Sequence, residues 1–166
     1  MRWTCTLGFS LFLIACGPTT ESPSPTEETS NPAPEWSLAI HGGAGHFDTE
    51  RLSPEQQAAY RASLTLALRT GGAVLEAGGS AVDAVVATIS VMEDDSLFNA
   101  GRGAVYTASG VHELDASIMN GADRNCGAIT GLQGFRHPIQ VARQVMEESE
   151  HVFFSGHGAG EFATAK

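Results

Sequence analysis

The sequence predicts an α+β fold, and three observations carry that expectation. A strand-like run ends in a glycine loop, two capped amphipathic segments follow with no strand between them, and three strand-like runs then come in succession. A doubly wound chain would alternate strand with helix, whereas adjacent helices followed by grouped strands point to helical layers over a sheet.

Each element has a local cause. Trp36-Ser37-Leu38-Ala39-Ile40 alternates and runs into His41-Gly42-Gly43-Ala44-Gly45, which predicts a strand ending in a loop. Ser53 as N-cap, Pro54 at the first helical position and Gln56 in a capping box start a helix in which Leu64, Leu68 and Leu75 recur at helical spacing, up to a stop at Gly78-Gly79. Gly71-Gly72 is expected to interrupt that helix. Ser80 and Asp83 form a second capping box, and Val82, Val85, Val86, Ile89 and Met92 share one face.

A loop from Glu93 to Gly103 leads to runs at Ala104 to Ala108, His112 to Met119 and Asn125 to Leu132. Ser109-Gly110 and Asn120-Gly121 separate them, which predicts an antiparallel meander. Pro138 opens a helix with Ile139, Ala142, Val145 and Met146 inward, before a short strand at Val152-Phe153-Phe154 and a further helix near Gly160.

The first 35 residues read differently. Met1-Arg2 precedes an apolar stretch from Leu7 to Ala15, too short to span a bilayer, so residues 1–15 are expected to be a signal peptide. Leu13-Ile14-Ala15-Cys16 is similar to the bacterial lipobox, which implies cleavage before Cys16 and a diacylglyceryl group on its sulfur; an ordinary secretory signal is the alternative. Gly17 to Glu35 holds five prolines and four glutamates and no large apolar residue, so residues 16–35 are expected to form an extended tether. The body is residues 36–166, and the location implied is the bacterial cell envelope, lipid-anchored at the outer membrane or facing the periplasm.

Composition removes several functions. Nine basic residues against nineteen acidic ones, with a formal charge of -10 and Lys166 the only lysine, argue against nucleic acid as a partner. The same shortage of lysine excludes a P-loop, and no Gly-x-Ser-x-Gly elbow accompanies His41-Gly42-Gly43. His112-Glu113 lacks the second histidine of a zincin because Ala116 stands there. Glu113 and Asp115 are expected on one face of their strand, either as a pair of carboxylates near a site or as a solvated edge, while Cys126 reads as a buried, inert thiol.

Three segments taken together resemble one family. Ala39-Ile40-His41-Gly42-Gly43-Ala44-Gly45, Leu97-Phe98-Asn99-Ala100-Gly101-Arg102-Gly103-Ala104-Val105, and His112-Glu113-Leu114-Asp115-Ala116 with Met119-Asn120-Gly121 are similar in order and spacing to the plant-type L-asparaginases and isoaspartyl peptidases. His137-Pro138-Ile139, Val141-Ala142-Arg143, Val145-Met146 and Gly158-Ala159 extend the likeness.

The resemblance implies a four-layer αββα N-terminal nucleophile hydrolase, incomplete in this chain, which would be the α-subunit portion of a self-cleaving precursor. The implied reaction is hydrolysis of asparagine or β-aspartyl peptides by a threonine whose freed α-amino group serves as base. The nucleophile of that family follows glycine, and no Gly-Thr pair occurs between Met1 and Lys166, so the threonine is expected beyond Lys166 and no catalytic residue within the chain. Asn99, Gly42 and Gly43 match the elements that support the nucleophile. Met92, Glu93, Asp95, Phe98, Ala100 and Arg102 match a loop that holds a structural sodium ion through main-chain oxygens; no organic cofactor is implied. The implied partners are the β portion of the same precursor and a second αβ unit. A glycosylasparaginase-like hydrolase and a non-catalytic surface lipoprotein are the alternatives.

Overall fold

The structure, a computed structural model, describes residues 35–43 and 51–166, all within one compact unit from Pro34 to Lys166. The expected signal peptide, Cys16, the tether up to residue 34 and Ala44-Gly45 lie outside the described residues. The elements are α1 (Pro54–Glu76), α2 (Ala81–Glu93), a 3-10 turn (Gly101–Gly103), β1 (Leu114–Met119), β2 (Cys126–Leu132), α3 (Pro138–Glu148), β3 (Phe153–Ser155) and α4 (Gly156–Ala165). The α+β class expected from the sequence is the one observed. Among the described residues no helix is long and apolar enough to cross a membrane.

Both expected capping boxes form. Ser53 accepts from the Gln56 N–H while Gln56 Oε1 takes the Ser53 N–H, and Ser80 and Asp83 do the same for α2. Such a cap contributes about 1 kcal/mol. Gly71-Gly72 does not interrupt α1, because the glycines serve the crossing with α2: a side chain at Gly71 would overlap Thr88 Oγ1 and Leu38 Cδ2. The buried residues of α1 are therefore Ser63, Ala67, Gly71 and Gly72, and Leu68 is 38% exposed.

α2 then has two working faces. Ala84 and Thr88 are buried toward α1, and Val82, Val85, Val86 and Ile89 pack on the main core. That core is built by Leu114 and Ile118 of β1, Ile129 and Leu132 of β2, and Ile139, Val141, Ala142, Val145 and Met146 of α3, with Ala159 of α4 beside them. The α3 residues expected inward are buried. Burying such side chains stabilises by about 1.5–3 kcal/mol each before entropy is counted.

The sheet differs from the expected meander. β1 pairs antiparallel with β2, β2 pairs parallel with β3, and the order is β1-β2-β3. The run Ala104 to Ala108 forms no strand; only Tyr106 bridges His112, because the turn at Thr107 to Val111 closes immediately. Trp36 to Ile40 is likewise not a strand among the described residues, since Leu38 and Trp36 lie over Gly71 and Gly72 of α1 instead of pairing with the sheet. The α4 helix starts at Gly156, directly from β3 and earlier than expected.

The β1–β2 connection also departs from a tight Asn-Gly turn. Asn120 Oδ1 accepts from Ala122 N–H, the Arg124 N–H bonds the Asn120 carbonyl, and Arg124, at φ 64°, takes the left-handed position. A local side-chain bond to backbone thus lengthens the loop beyond two residues. β1 carries a register shift between Leu114 and Ala116. Asp115, Ser117 and Met119 on the far face are exposed, as is Phe153 of β3.

β2 approaches α3 closely enough that a side chain at Gly127 would overlap the Ala142 carbonyl and the Met146 backbone. Gly127→Ala should lower stability by about 1–3 kcal/mol in urea unfolding. Gly121→Ala, whose side chain would meet nothing within 4 Å, should change it by less than about 0.5 kcal/mol.

Candidate functional site

The loop after α2 is a chain of tight turns. Asp95 N–H bonds the Met92 carbonyl at 3.2 Å, Phe98 N–H the Asp95 carbonyl at 3.3 Å, and Gly103 N–H the Ala100 carbonyl at 2.9 Å. Gly101, at φ 48°, packs against the Glu93 carbonyl, and Gly103 packs against the Phe98 carbonyl, so a side chain at either would collide with backbone. The loop folds back on its own start.

Side chains fasten it to α1. Ser63 Oγ donates to Asp95 Oδ2 at 2.6 Å, Tyr60 Oη donates to the Leu97 carbonyl at 3.1 Å, and Asp95 Oδ1 accepts from Leu97 N–H at 3.0 Å. Phe98 is buried with its ring edge-on to Tyr60, centroids 6.1 Å apart. Sequence reasoning missed Tyr60 and Ser63. The available signal was the polar and small stripe Tyr60, Ser63, Ala67, Gly71, whose steps of three and four mark a face pressed against something close.

Asn99 is exposed, and its Oδ1 accepts from Val105 N–H at 3.0 Å. With the carbonyl so engaged, the chemistry it offers a neighbour is its two N–H donors. Gly42 comes to the same place: a side chain there would touch Leu64 and Phe98, at 3.4 and 3.6 Å, one residue from Asn99. Gly43 has φ 130°, which favours glycine. A groove of about 310 Å³, mostly apolar, runs between residues 38–41 and α2, where Val85, Ile89 and Met92 line it, and reaches the loop at Ala100.

The expected metal-loop residues Met92, Glu93, Asp95, Phe98, Ala100 and Arg102 lie within this one folded-back segment. The Met92 carbonyl accepts from the Asp94 and Asp95 N–H groups, whereas the carbonyls of Asp95 and Ala100 each accept one N–H and keep a second lone pair to offer. Such a donor set suits a hard cation. Among the described residues no three His, Cys, Asp or Glu side chains gather to hold a metal.

Glu93 has a role that the sequence did not disclose. Its buried Oε1 accepts from Ile139 N–H at 3.0 Å and so caps α3, whose N-cap His137 contributes no side-chain bond. His137 Nδ1 stands 3.4 Å from Glu93 Oε2, and its Nε2 3.6 Å from Asp94 Oδ1. Arg136 Nε donates to Asp94 Oδ1 at 2.6 Å, which holds that carboxyl below its usual range. Burial, against the lowering effect of the Ile139 bond and with a smaller push from Asp94, raises the Glu93 carboxyl to about 7.

The remaining candidates are tied into the sheet. Asp115 Oδ1 accepts from Thr130 Oγ1 at 2.6 Å and Gly131 N–H at 2.9 Å, and Glu113 accepts from Gln133 at 3.3 Å. His112 stacks on Tyr106 with centroids 4.1 Å apart. Cys126 is half-buried instead of buried, because it opens β2 at the end of the sheet opposite Met119.

Comparison with known proteins adds a common pattern. Residues 34–166 match the family described as Asparaginase. The chain is 47% identical over 126 residues to an isoaspartyl peptidase of Salmonella typhimurium, covering 76% of this chain and 40% of that one. It is 44% identical over 129 residues to an isoaspartyl peptidase of Escherichia coli, covering 78% and 40%. To an isoaspartyl peptidase/L-asparaginase of Danio rerio it is 41% identical over 126 residues, covering 76% and 39%. The chain thus spans about two-fifths of the length of these curated relatives.

The Glu93 carboxyl gives a signed pH dependence. Its folded value near 7 lies above the ordinary 4.5, so the folded state keeps a proton that the unfolded chain releases between those values. Stability from this group is present below about pH 4.5 and is lost as pH rises through about 7. In sodium-free buffer, urea midpoints should fall across that window, and Glu93→Gln, which keeps the acceptor for Ile139, should flatten the fall.

Proposed function

Because the chain belongs to the asparaginase family, we propose that it is the α-subunit portion of an isoaspartyl peptidase/L-asparaginase, an amidohydrolase acting on asparagine or β-aspartyl peptides. The observation that carries the reading is the meeting of Gly42 with Phe98 beside Asn99, which joins two segments far apart in sequence at one place. A threonine hydroxyl supplied by a β portion of the same precursor attacks the side-chain carbonyl of the substrate, its proton passing to the threonine's own α-amino group. The carbonyl–nitrogen bond breaks, ammonia or the peptide amine leaves with that proton, and water then frees aspartate from the ester.

Within that scheme this chain positions and does not attack. The Asn99 amide N–H groups, left by the Val105 bond, orient the threonine, and Gly42 and Gly43 let backbone come near it. The main-chain oxygens of residues 92, 93, 95, 98, 100 and 102 would hold a sodium ion, whose charge would steady the loop. The β portion covers the open sheet face at Asp115, Ser117, Met119 and Phe153 and completes a four-layer αββα fold, and two αβ units pair.

The chain alone should release no ammonia from asparagine or a β-aspartyl dipeptide, and co-expression with a β portion beginning in threonine should restore turnover. Clear turnover by the chain alone removes the assignment. Within the full-length protein, Asn99→Ala should lower kcat by about a hundredfold or more.

Localisation rests on the Leu13-Ile14-Ala15-Cys16 run: the mature protein is anchored in the bacterial envelope by lipid on Cys16. Mass spectrometry of the membrane-extracted N-terminus should find a diacylglyceryl group there. An unmodified terminus elsewhere refutes the anchor.

A further inference from the structure

The segment that presents Asn99 is gripped from outside by side chains as well as by its own turns. The Asp95 carboxylate does two things at once: Oδ2 takes the hydroxyl of Ser63, a buried residue of α1, at 2.6 Å, and Oδ1 takes the Leu97 N–H at 3.0 Å. Tyr60, one turn earlier on α1, donates to the Leu97 carbonyl at 3.1 Å and sets its ring edge against Phe98. Both peptide groups of Leu97 are thereby fixed, two residues before Asn99. Hydrogen bonds to a carboxylate are about twice as strong as neutral ones.

A cation bound within residues 92–102 would gather the same loop through its carbonyls, from the inside. The bonds from α1 act on other atoms of the loop and toward the same end. We infer that Ser63 and Asp95 are positioning residues whose side chains latch the turn from Leu97 to Gly103 onto α1, fix the Asn99 amide, and lessen the loop's dependence on a bound cation. The inference rests on the proposed roles of Asn99 and of the cation loop. It concerns the Asp95 side chain, whereas the expectation from sequence concerned only its main-chain oxygen.

The Val105 N–H is held by Asn99 Oδ1 at 3.0 Å, so its exchange with deuterium reports where Asn99 sits. Exchange is followed in the full-length protein for wild type, Ser63→Ala, Asp95→Ala and Asp95→Asn, in sodium buffer and in tetramethylammonium buffer. Wild type should protect Val105 equally in both. Ser63→Ala and Asp95→Ala should exchange about five to ten times faster in tetramethylammonium, the loss expected for one or two such bonds, with sodium recovering most of the protection. Asp95→Asn keeps an acceptor for Leu97 and a partner for Ser63, and should stay near wild type. Unchanged Val105 protection in Ser63→Ala and Asp95→Ala in both buffers overturns the latch, and so does wild-type protection that collapses without sodium as far as that of Ser63→Ala.

Turnover separates the latch from the reading beneath it. Ser63→Ala should lower kcat with little change in KM, and sodium should restore it. Full turnover by Asn99→Ala would remove the role of Asn99, while the exchange results would still decide whether Ser63 and Asp95 hold the loop.

Discussion

A carboxylate at the end of α2 joins the two halves of the described chain. α1 and α2 form one packed pair, and β1, β2, α3, β3 and α4 form the other layer; Glu93 ends the first and caps the start of α3 in the second. Taking a carboxyl out of water is costly, and here the Ile139 N–H, the positive end of the α3 dipole and partial protonation offset part of that cost, while Oε2 is buried without a hydrogen-bond partner. The arrangement fixes where the loop begins. Since the loop's first residue is also the α3 cap, the start of the loop cannot move relative to α3 without uncovering a buried polar group.

The rest of the loop is held in the same indirect manner. Gly101 and Gly103 permit backbone to lie on backbone, and α1 supplies Tyr60 together with Ser63, the latter from a stripe kept small so that α2 can approach. Packing and polar bonding thus depend on one another. A bulkier residue at Gly71 would push α1 off Thr88 and carry the grip on Asp95 and Leu97 away with it.

Features with a local cause were legible in the sequence. The capping boxes at Ser53 and Ser80, Pro138 at the start of α3 and the inward set Ile139, Ala142, Val145 and Met146 are each decided within a few residues. Three short segments in order also sufficed to place the chain in its family. What escaped were effects of distance: Ser63 and Asp95 lie 32 positions apart, and Glu93 and Ile139 lie 46 apart. Trp36 to Ile40 alternates and Ala104 to Ala108 is strand-like in its residues, but a strand needs a neighbour, and in one case α1 and in the other an immediate turn took its place. Leucine spacing marked the helix of α1 but not its tight face, which is the one with least side chain.

The register shift at Asp115 bears on self-association. A sheet with one uncovered face also has two edges, and a flat, regular edge is a template for pairing with another copy. β1, on one edge, is kinked between Leu114 and Ala116 and has the carboxylate of Asp115 turned back onto Thr130 and Gly131 of β2. β3, on the other, is three residues long. Neither edge offers a long straight ladder, so copies of this layer resist growing into one another strand by strand.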